Sequence, residues 1–554
     1  MKKITLLAFS LFGLLGSMSQ LHAQENVGDS IVEKIIALAR ADNQTMNHLD
    51  VMTNRFGGRL LGSAAYEDAA KYALETFKKW GLEAYYDTVG SYNVGFNRGP
   101  WFGRMIGGNG MNLHFTTPSY TAGTKGVQRG TVVREPYTTA EFNRMKGTID
   151  GAWVLIGGKS IGWPIDYTPL ATEQRAKIIA QNDSIDKINA QIRGRNSGKL
   201  YRRHQLEREI TAALDPKEKA KKQAEWEAIE IEELLPITEE PGLFYQQMAE
   251  AGMLGMIQAA SVPITTLYDR KNIDTMTWET LPVLPDIKLD EIQYKEIADM
   301  VDRREYFQLE FDIRNHFRMG PVPYYSVIAV IPGSENPEEM VICCGHLDSY
   351  DVATGGVDCG VGIAPTMEAA RLLALAGAKP KRSIMFALWA GEEFGLLGSK
   401  YWVENNTDKL PNIVNLFNRD GGPLVPYAMT VPKEWYDDMK TVVAPLENLN
   451  PEYPFELKVG EYYPTEPPTR PGGSDHAYFA MNGVPVIGFD LNDPKGYNFQ
   501  YGEIWHTDRD LYNKSIPEYM DQTSIANAIV LYGIANLENH LPADAVYKKE
   551  DKKK

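Results

Sequence analysis

Val341-Ile342-Cys343-Cys344-Gly345-His346-Leu347-Asp348-Ser349-Tyr350, with the loop that ends in Gly356-Val357-Asp358-Cys359-Gly360, decides the fold. Residues 341–344 are apolar and read as a buried strand. The strand stops at a histidine, an aspartate follows two residues on, and a Gly-rich loop delivers a second aspartate just before a helical pattern. A His and an Asp on the rim of a sheet suit a divalent metal. A polar loop in which Asp358 caps the next helix is the plainer reading of the same residues.

Outward from this stretch the pattern repeats. Apolar runs at 325–331, 383–389, 413–418 and 484–489 read as further strands, and helical patterns at 363–376, 394–405, 433–446 and 522–541 alternate with them. Alternation predicts an α/β fold with a mostly parallel central sheet and helices on both faces. In such a sheet the chemistry gathers at the carboxyl ends of the strands. Those ends are polar here: His346 and Asp348 after one strand, Glu392-Glu393 after the next, and Asn418-Arg419-Asp420 after a third. Ile504-Trp505-His506-Thr507-Asp508 adds a second histidine with aromatic cover. The dipole of a following helix accounts for one glutamate. Two glutamates sharing a site with Asp358 and Asp420 would repel. A pair of dications about 3.5–4 Å apart, bridged by a carboxylate, removes the conflict.

The early chain supplies a helix over 31–41, the loop Phe56-Gly57-Gly58-Arg59-Leu60-Leu61-Gly62-Ser63, a helix over 66–80 and a strand over 82–89. From about Trp101 the composition turns β-rich, with short strands at 130–133, 152–156 and 253–259. The α/β alternation resumes near Tyr324, so the stretch between reads as an insertion. Inside it, about 171–233 is charged and helical, with turns at Asn196-Ser197-Gly198 and Asp215-Pro216, and is expected to project into solvent as a helical arm. The boundaries expected are a signal peptide over 1–23, a first part of the α/β unit over 24–105, the insertion over 106–320, a second part of the α/β unit over 321–545 and a charged tail over 546–554.

The net charge of −16 gives no basic face for nucleic acid. Met1-Lys2-Lys3, an apolar run over 4–15 and Leu21-His22-Ala23 read as a secretory signal, too short in its apolar part to span a membrane. The expectation is export to the periplasm or the medium, with no membrane span. Three cysteines, Cys343, Cys344 and Cys359, build no disulfide framework. The first two read as core residues, and Cys359 stands beside a candidate ligand.

His346-Leu347-Asp348-Ser349, Gly356-Val357-Asp358, Glu392-Glu393-Phe394-Gly395-Leu396-Leu397-Gly398-Ser399, Asp420 and His506 resemble the co-catalytic di-zinc exopeptidases, nearest the carboxypeptidase Q type. Gly58-Arg59-Leu60-Leu61-Gly62-Ser63 is similar to the same family, and Glu250-Ala251-Gly252-Met253-Leu254-Gly255-Met256-Ile257 resembles part of a protease-associated domain. The resemblance implies two Zn2+ ions per chain, with Asp358 bridging, His346 and Asp420 on one metal, and Glu393 and His506 on the other. It implies Glu392 as general base towards a metal-bound water, and Asp348 as the hydrogen-bond partner of the far nitrogen of His346. Ser474, Asp475 and His476, with Tyr462 and Tyr463, are expected to shape the substrate pocket; the plainer reading is that Asp475 and His476 cap the helix that follows. Two departures from the family pattern are Cys359, where relatives carry Asp or Asn, and the charged arm.

The expected function is terminal hydrolysis of peptides or dipeptides, with aminopeptidase action first and carboxypeptidase or dipeptidase action second. A receptor-like binding protein on the same fold is the alternative of another class, and the complete ligand set speaks against it. A one-zinc glutaminyl cyclase is disfavoured on the same ground. A homodimer is left open.

Overall fold

The computed structural model describes residues 27–461 and 463–547. The signal peptide, most of the charged tail and Tyr462 lie outside the described residues.

In chain order the strands are β1 (Glu83–Asn97), β2 (Trp101–Gly107), β3 (Phe115–Thr116), β4 (Gln128–Arg134), β5 (Ala152–Ser160), β6 (Gly255–Ala260), β7 (Asp286–Asp290), β8 (Phe307–Ile313), β9 (His316–Ile331), β10 (Asn336–His346), β11 (Arg382–Trp389), β12 (Ile413–Asn418), β13 (Val425–Val431), β14 (Glu456–Val459) and β15 (Phe489–Asn492). They form a five-stranded sheet ordered β1-β9-β11-β10-β12, a seven-stranded sheet ordered β2-β8-β4-β5-β6-β7-β3, and a small sheet ordered β14-β13-β15. In the five-stranded sheet β11, β10 and β12 run parallel, while β9 joins β11 antiparallel and carries the long antiparallel partner β1.

The continuous apolar runs of β10 and β11 are explained by burial on both faces. Val341 and Cys343 of β10, with Ile384, Phe386 and Leu388 of β11, enter the large core shared with the helices Gly360–Ala376 and Pro517–Ala535. Ile342 and Cys344, with Met385, Ala387 and Trp389, enter a second core against Trp402 and Phe479. The expected strand over 484–489 is shorter: β15 starts at Phe489, and the residues before it lie along β12. Asn415 makes that attachment, its side chain bonding the Ile487 carbonyl and amide at 2.8 and 2.9 Å. With the Leu416 amide donating to the Pro485 carbonyl at 2.9 Å, this side-chain bridge holds the segment to β12 without a full ladder.

The seven-stranded sheet, closed by residues 101–313, has its own apolar cores. From it the helix Pro169–Ala212 projects, capped by the Thr168 hydroxyl with proline in its first turn. At about 1.5 Å per residue its 44 residues run ~66 Å. The expected turn at Asn196-Ser197-Gly198 is absent, because the helix continues through it. The reason is a ladder of polar rungs. Asn182, Asn189 and Asn196, all buried, each bond the amide and carbonyl of Thr238, Leu235 and Glu232 in turn, at 2.7–3.1 Å. Arg175 extends the ladder to the Pro241 carbonyl and Arg203 to that of Ile229. The helix steps by seven residues and the returning strap by three. Seven helical residues rise ~10.5 Å and three residues of extended chain span ~10–11 Å, so the two periods stay in phase. The second predicted turn, Asp215-Pro216, opens the helix Pro216–Glu227, with Asp215 as its cap.

No helix among the described residues is long and apolar enough to cross a membrane.

Candidate metal centre

Parallel register brings three strand ends to one place. His346 on β10 pairs with Trp389 on β11, and Cys344 pairs with Asn418 on β12. Glu392-Glu393 and Asp420 therefore leave the sheet beside His346. Gly391, at φ 65°, turns the chain after β11, a backbone shape that glycine adopts freely. Asp358 arrives from the loop before the helix Gly360–Ala376, and His506 from a loop far along the chain.

His346 Nε2 lies 3.1 Å from Asp358 Oδ1 and 3.2 Å from Asp420 Oδ1. His506 Nε2 lies 2.9 Å from Glu393 Oε2 and 3.8 Å from Asp358 Oδ2. The two oxygens of Asp358 thus face two different His–acid pairs. His346 Nδ1 meets the Asp348 main-chain carbonyl at 2.9 Å, while the Asp348 carboxylate is 3.7 Å away. A carbonyl only accepts, so Nδ1 donates to it and Nε2 is the nitrogen turned towards Asp358 and Asp420. Asp348 thus meets the far nitrogen of His346 through its main-chain carbonyl. The carboxylate is drawn off by the amides of Glu392 and Glu393, at 3.1 and 3.2 Å, which the turn at Gly391 aims at it.

Burial pushes the Glu392 and Glu393 carboxyls far above the usual range, and neighbouring acids, Asp358 and Asp420 among them, add to the rise. Asp420, which burial also pushes up, is held below normal by His346. Burial pulls His506 down to about 4, which favours the neutral imidazole. Glu393 Oε1 and His506 Nδ1 are buried without a hydrogen-bond partner. Crowded acids, neutral imidazole and orphaned donor atoms fit divalent cations, which reverse the cost of ionising such carboxylates.

The support around this cluster is long-range. Buried Arg59 donates to the carbonyls of Leu347, Thr354 and Gly355. Gly58 before it passes so close to the same loop that a Cβ there would stand 2.4 Å from the Asp351 Cα. Asp510 accepts from the amides of Val357 and Asp358. Tyr350 lies over His506, ring centroids 4.2 Å apart, and Tyr268 follows at 5.1 Å from Tyr350. Asp510, Tyr350 and Tyr268 escaped the sequence reading. Tyr350 stands two residues after Asp348 and was within reach of it; the other two have no local signal.

Of the expected substrate residues, Ser474 accepts from Asn418 Nδ2 at 2.8 Å and His476 Nδ1 lies 3.5 Å from the same amide. Asp475 occupies the cap position of the short helix His476–Met481 but does not cap it. Its carboxylate takes the Ser399 hydroxyl at 2.5 Å and leaves Oδ2 buried without a partner. Tyr463 turns away and donates to the Thr430 carbonyl of β13. Cys359 is buried, donates to the Arg419 carbonyl at 3.0 Å, and burial raises its thiol to about 12, which is unlike a reactive thiolate.

Residues 326–530, which include all five clustered His, Asp and Glu residues, match the model of Peptidase family M28. Among particular relatives, carboxypeptidase Q of Rattus norvegicus is 29% identical over 234 residues, 41% of this chain and 46% of its own length. Leupeptin-inactivating enzyme 1 of Streptomyces exfoliatus is 34% identical over 169 residues, 30% of this chain and 35% of its own. The match thus spans about half the length of the carboxypeptidase Q relatives. A crystal structure of a peptidase M28 precursor from Shewanella amazonensis shares the fold, with TM-score 0.52 and 19% identity over 93% of this chain and 98% of that one.

Proposed function

We propose that this chain is a two-zinc exopeptidase that removes a residue from the amino terminus of peptides. The observation that carries the reading is the divided carboxylate of Asp358, with His346 and Asp420 at one oxygen and His506 and Glu393 towards the other. In this reading Asp358 holds both metals, His346 and Asp420 complete one site, and Glu393 and His506 complete the other. When bound, such a pair supplies Lewis acidity and an activated water.

Glu392 is the general base: its carboxylate takes a proton during attack on the scissile carbonyl and hands it to the leaving nitrogen. Asp348 positions Glu392 through its amide. Asp475, with its unpartnered oxygen, is the group assigned to the substrate end, with Ser474 and His476 beside it. The amino end is favoured by charge. Arg59 and Arg419 both commit donors to main-chain carbonyls, whereas Glu392 and Asp475 are acids. Acids beside the centre suit an ammonium group and repel a carboxylate.

The name carboxypeptidase Q borne by relatives favours a second reading, carboxypeptidase or dipeptidase action. The expected division into a peptidase unit (24–105 with 321–545) and an inserted unit (106–320) belongs to the proposal, as does export directed by the leader sequence.

One short peptide tested free, amino-blocked and carboxyl-blocked separates the cases, with products weighed after incubation with and without chelator. Chelator-sensitive cleavage lost only on amino blocking is expected. Loss only on carboxyl blocking establishes a carboxypeptidase, and loss with either block a dipeptidase. No cleavage by protein holding two zincs overturns the enzymatic reading.

A further inference from the structure

Among the described residues, the layer that holds the seven-stranded sheet meets the backbone of one of the two His–acid pairs, His506 and Glu393. After β6, Thr265 forms an antiparallel bridge with Thr507. Around it, the Thr266 amide donates to the His506 carbonyl at 3.3 Å, and the Asp508 amide donates to the Ile264 carbonyl at 3.1 Å. The Asp508 side chain closes the latch: Oδ1 accepts from the Ile264 amide at 2.9 Å, and Oδ2 meets His114 Nε2 at 2.7 Å. His114, in turn, lies 3.5 Å from Asp290. Tyr268 donates its hydroxyl to the Glu393 main-chain carbonyl and stacks on Phe394, centroids 4.1 Å apart.

Both members of one pair, His506 and Glu393, are therefore held at their own backbone by residues of the 101–313 layer. His346 and Asp420 are not held this way. His346 contacts Asp348, Asp358 and Asp420, all within the five-stranded unit. The distinction matters because His506 sits at φ 57°, in the left-handed region that a non-glycine residue occupies only under constraint. A two-strand bridge immediately following it, anchored by a side chain on each flank, supplies that constraint.

We infer that Asp508, Thr265–Thr266 and Tyr268 position the Glu393–His506 half of the centre, so that the inserted layer sets the affinity of one metal site and leaves the other to the five-stranded unit. Asp508, His114 and Tyr268 are positioning residues, acting through the backbone of the ligands. This inference rests on the two-metal reading above. Outer partners of metal ligands typically contribute ~10–100-fold in affinity.

The test is zinc titration of the metal-free full chain by calorimetry, with bound zinc counted by mass spectrometry of the metal. Wild type is expected to take two zincs. Asp508→Ala should keep one site at wild-type affinity and weaken the other ~10–100-fold. Tyr268→Phe, which keeps the ring stack and loses one hydrogen bond, should act on the same site more weakly. Arg134→Ala cuts an exposed ion pair with Asp302 in the same layer and should leave both sites unchanged. Equal weakening of both sites in Asp508→Ala, or no change in either latch variant, overturns the inference. Fewer than two zincs in wild type overturns the two-metal reading itself.

Discussion

Arg59 and Asp510 grip the same loop by its two kinds of peptide group. Arg59 takes the carbonyls of Leu347, Thr354 and Gly355, and Asp510 takes the amides of Val357 and Asp358. The loop runs from His346 to Asp358, so both of its ends are candidate ligands. Burial pulls the Arg59 guanidinium below its usual value, and Asp510 leads the groups that push it back; burial likewise raises Asp510, to about 8. Neither residue meets substrate in the proposed mechanism. Together they replace, for an irregular buried segment, the hydrogen bonds that a strand or helix would have made.

Arg59→Met should therefore be severe. It strands three carbonyls, each worth ~1–3 kcal/mol when buried and unsatisfied, so a loss of about 3 kcal/mol or more is expected. Arg59→Lys keeps the charge but not the planar fork, and should recover only part of the loss. Urea midpoints measure both, and a midpoint within experimental error of wild type for Arg59→Met would remove the clamp from the account.

Glu392→Gln should retain both zincs and lower kcat by ~10²–10⁴-fold, the usual contribution of a positioned general base. The amide keeps the shape and the hydrogen bond from the Glu392 amide to Asp348, so folding is unaffected. Steady-state kinetics beside zinc analysis checks this; turnover near wild type would assign the proton transfer elsewhere.

Asn189→Ala should free the strap of the projecting arm without reaching the centre. The substitution leaves the Leu235 amide and carbonyl without their partner. Amide hydrogen exchange is expected to speed up over 229–241 while peptide hydrolysis stays at the wild-type rate. Unchanged protection there would mean that the rungs contribute little to holding the strap.

Glu135 gives a pH dependence with a definite sign. It is buried in the layer of the seven-stranded sheet, bonded by the amides of Gly157 and Gly242 at 2.6 and 2.8 Å. Burial outweighs those bonds and raises its carboxyl from 4.5 to about 7. The folded state thus binds the proton more tightly than the unfolded state, so its contribution is full below pH 4.5 and declines as pH rises towards 7. Melting temperatures across that window should fall less steeply for Glu135→Gln than for wild type. Identical slopes would place the titration on other groups.

Part of the site is legible because it sits at strand ends. His346, Glu392, Glu393 and Asp420 each follow an apolar run, and a parallel sheet brings such ends together whatever the loops do. Asn196-Ser197-Gly198 has the composition of a turn, whereas the Asn196 side chain is a rung bonded to Glu232. The run over 484–489 is apolar as a buried strand is, but the Asn415 bridge holds it to β12 without a full ladder.

The sequence by itself determined the α/β alternation and singled out a candidate His, Asp and Glu set, because burial patterns and strand-end positions are written locally. Only the tertiary structure decided which atoms support that set. It put the Asp348 carbonyl, not its carboxylate, on His346; it closed Arg59 and Asp510 on one loop; and it latched Asp508 to Ile264 across 244 residues. Such contacts join backbone groups far apart in the chain. They depend on how packed layers meet, and no periodicity in either segment records the position of the other.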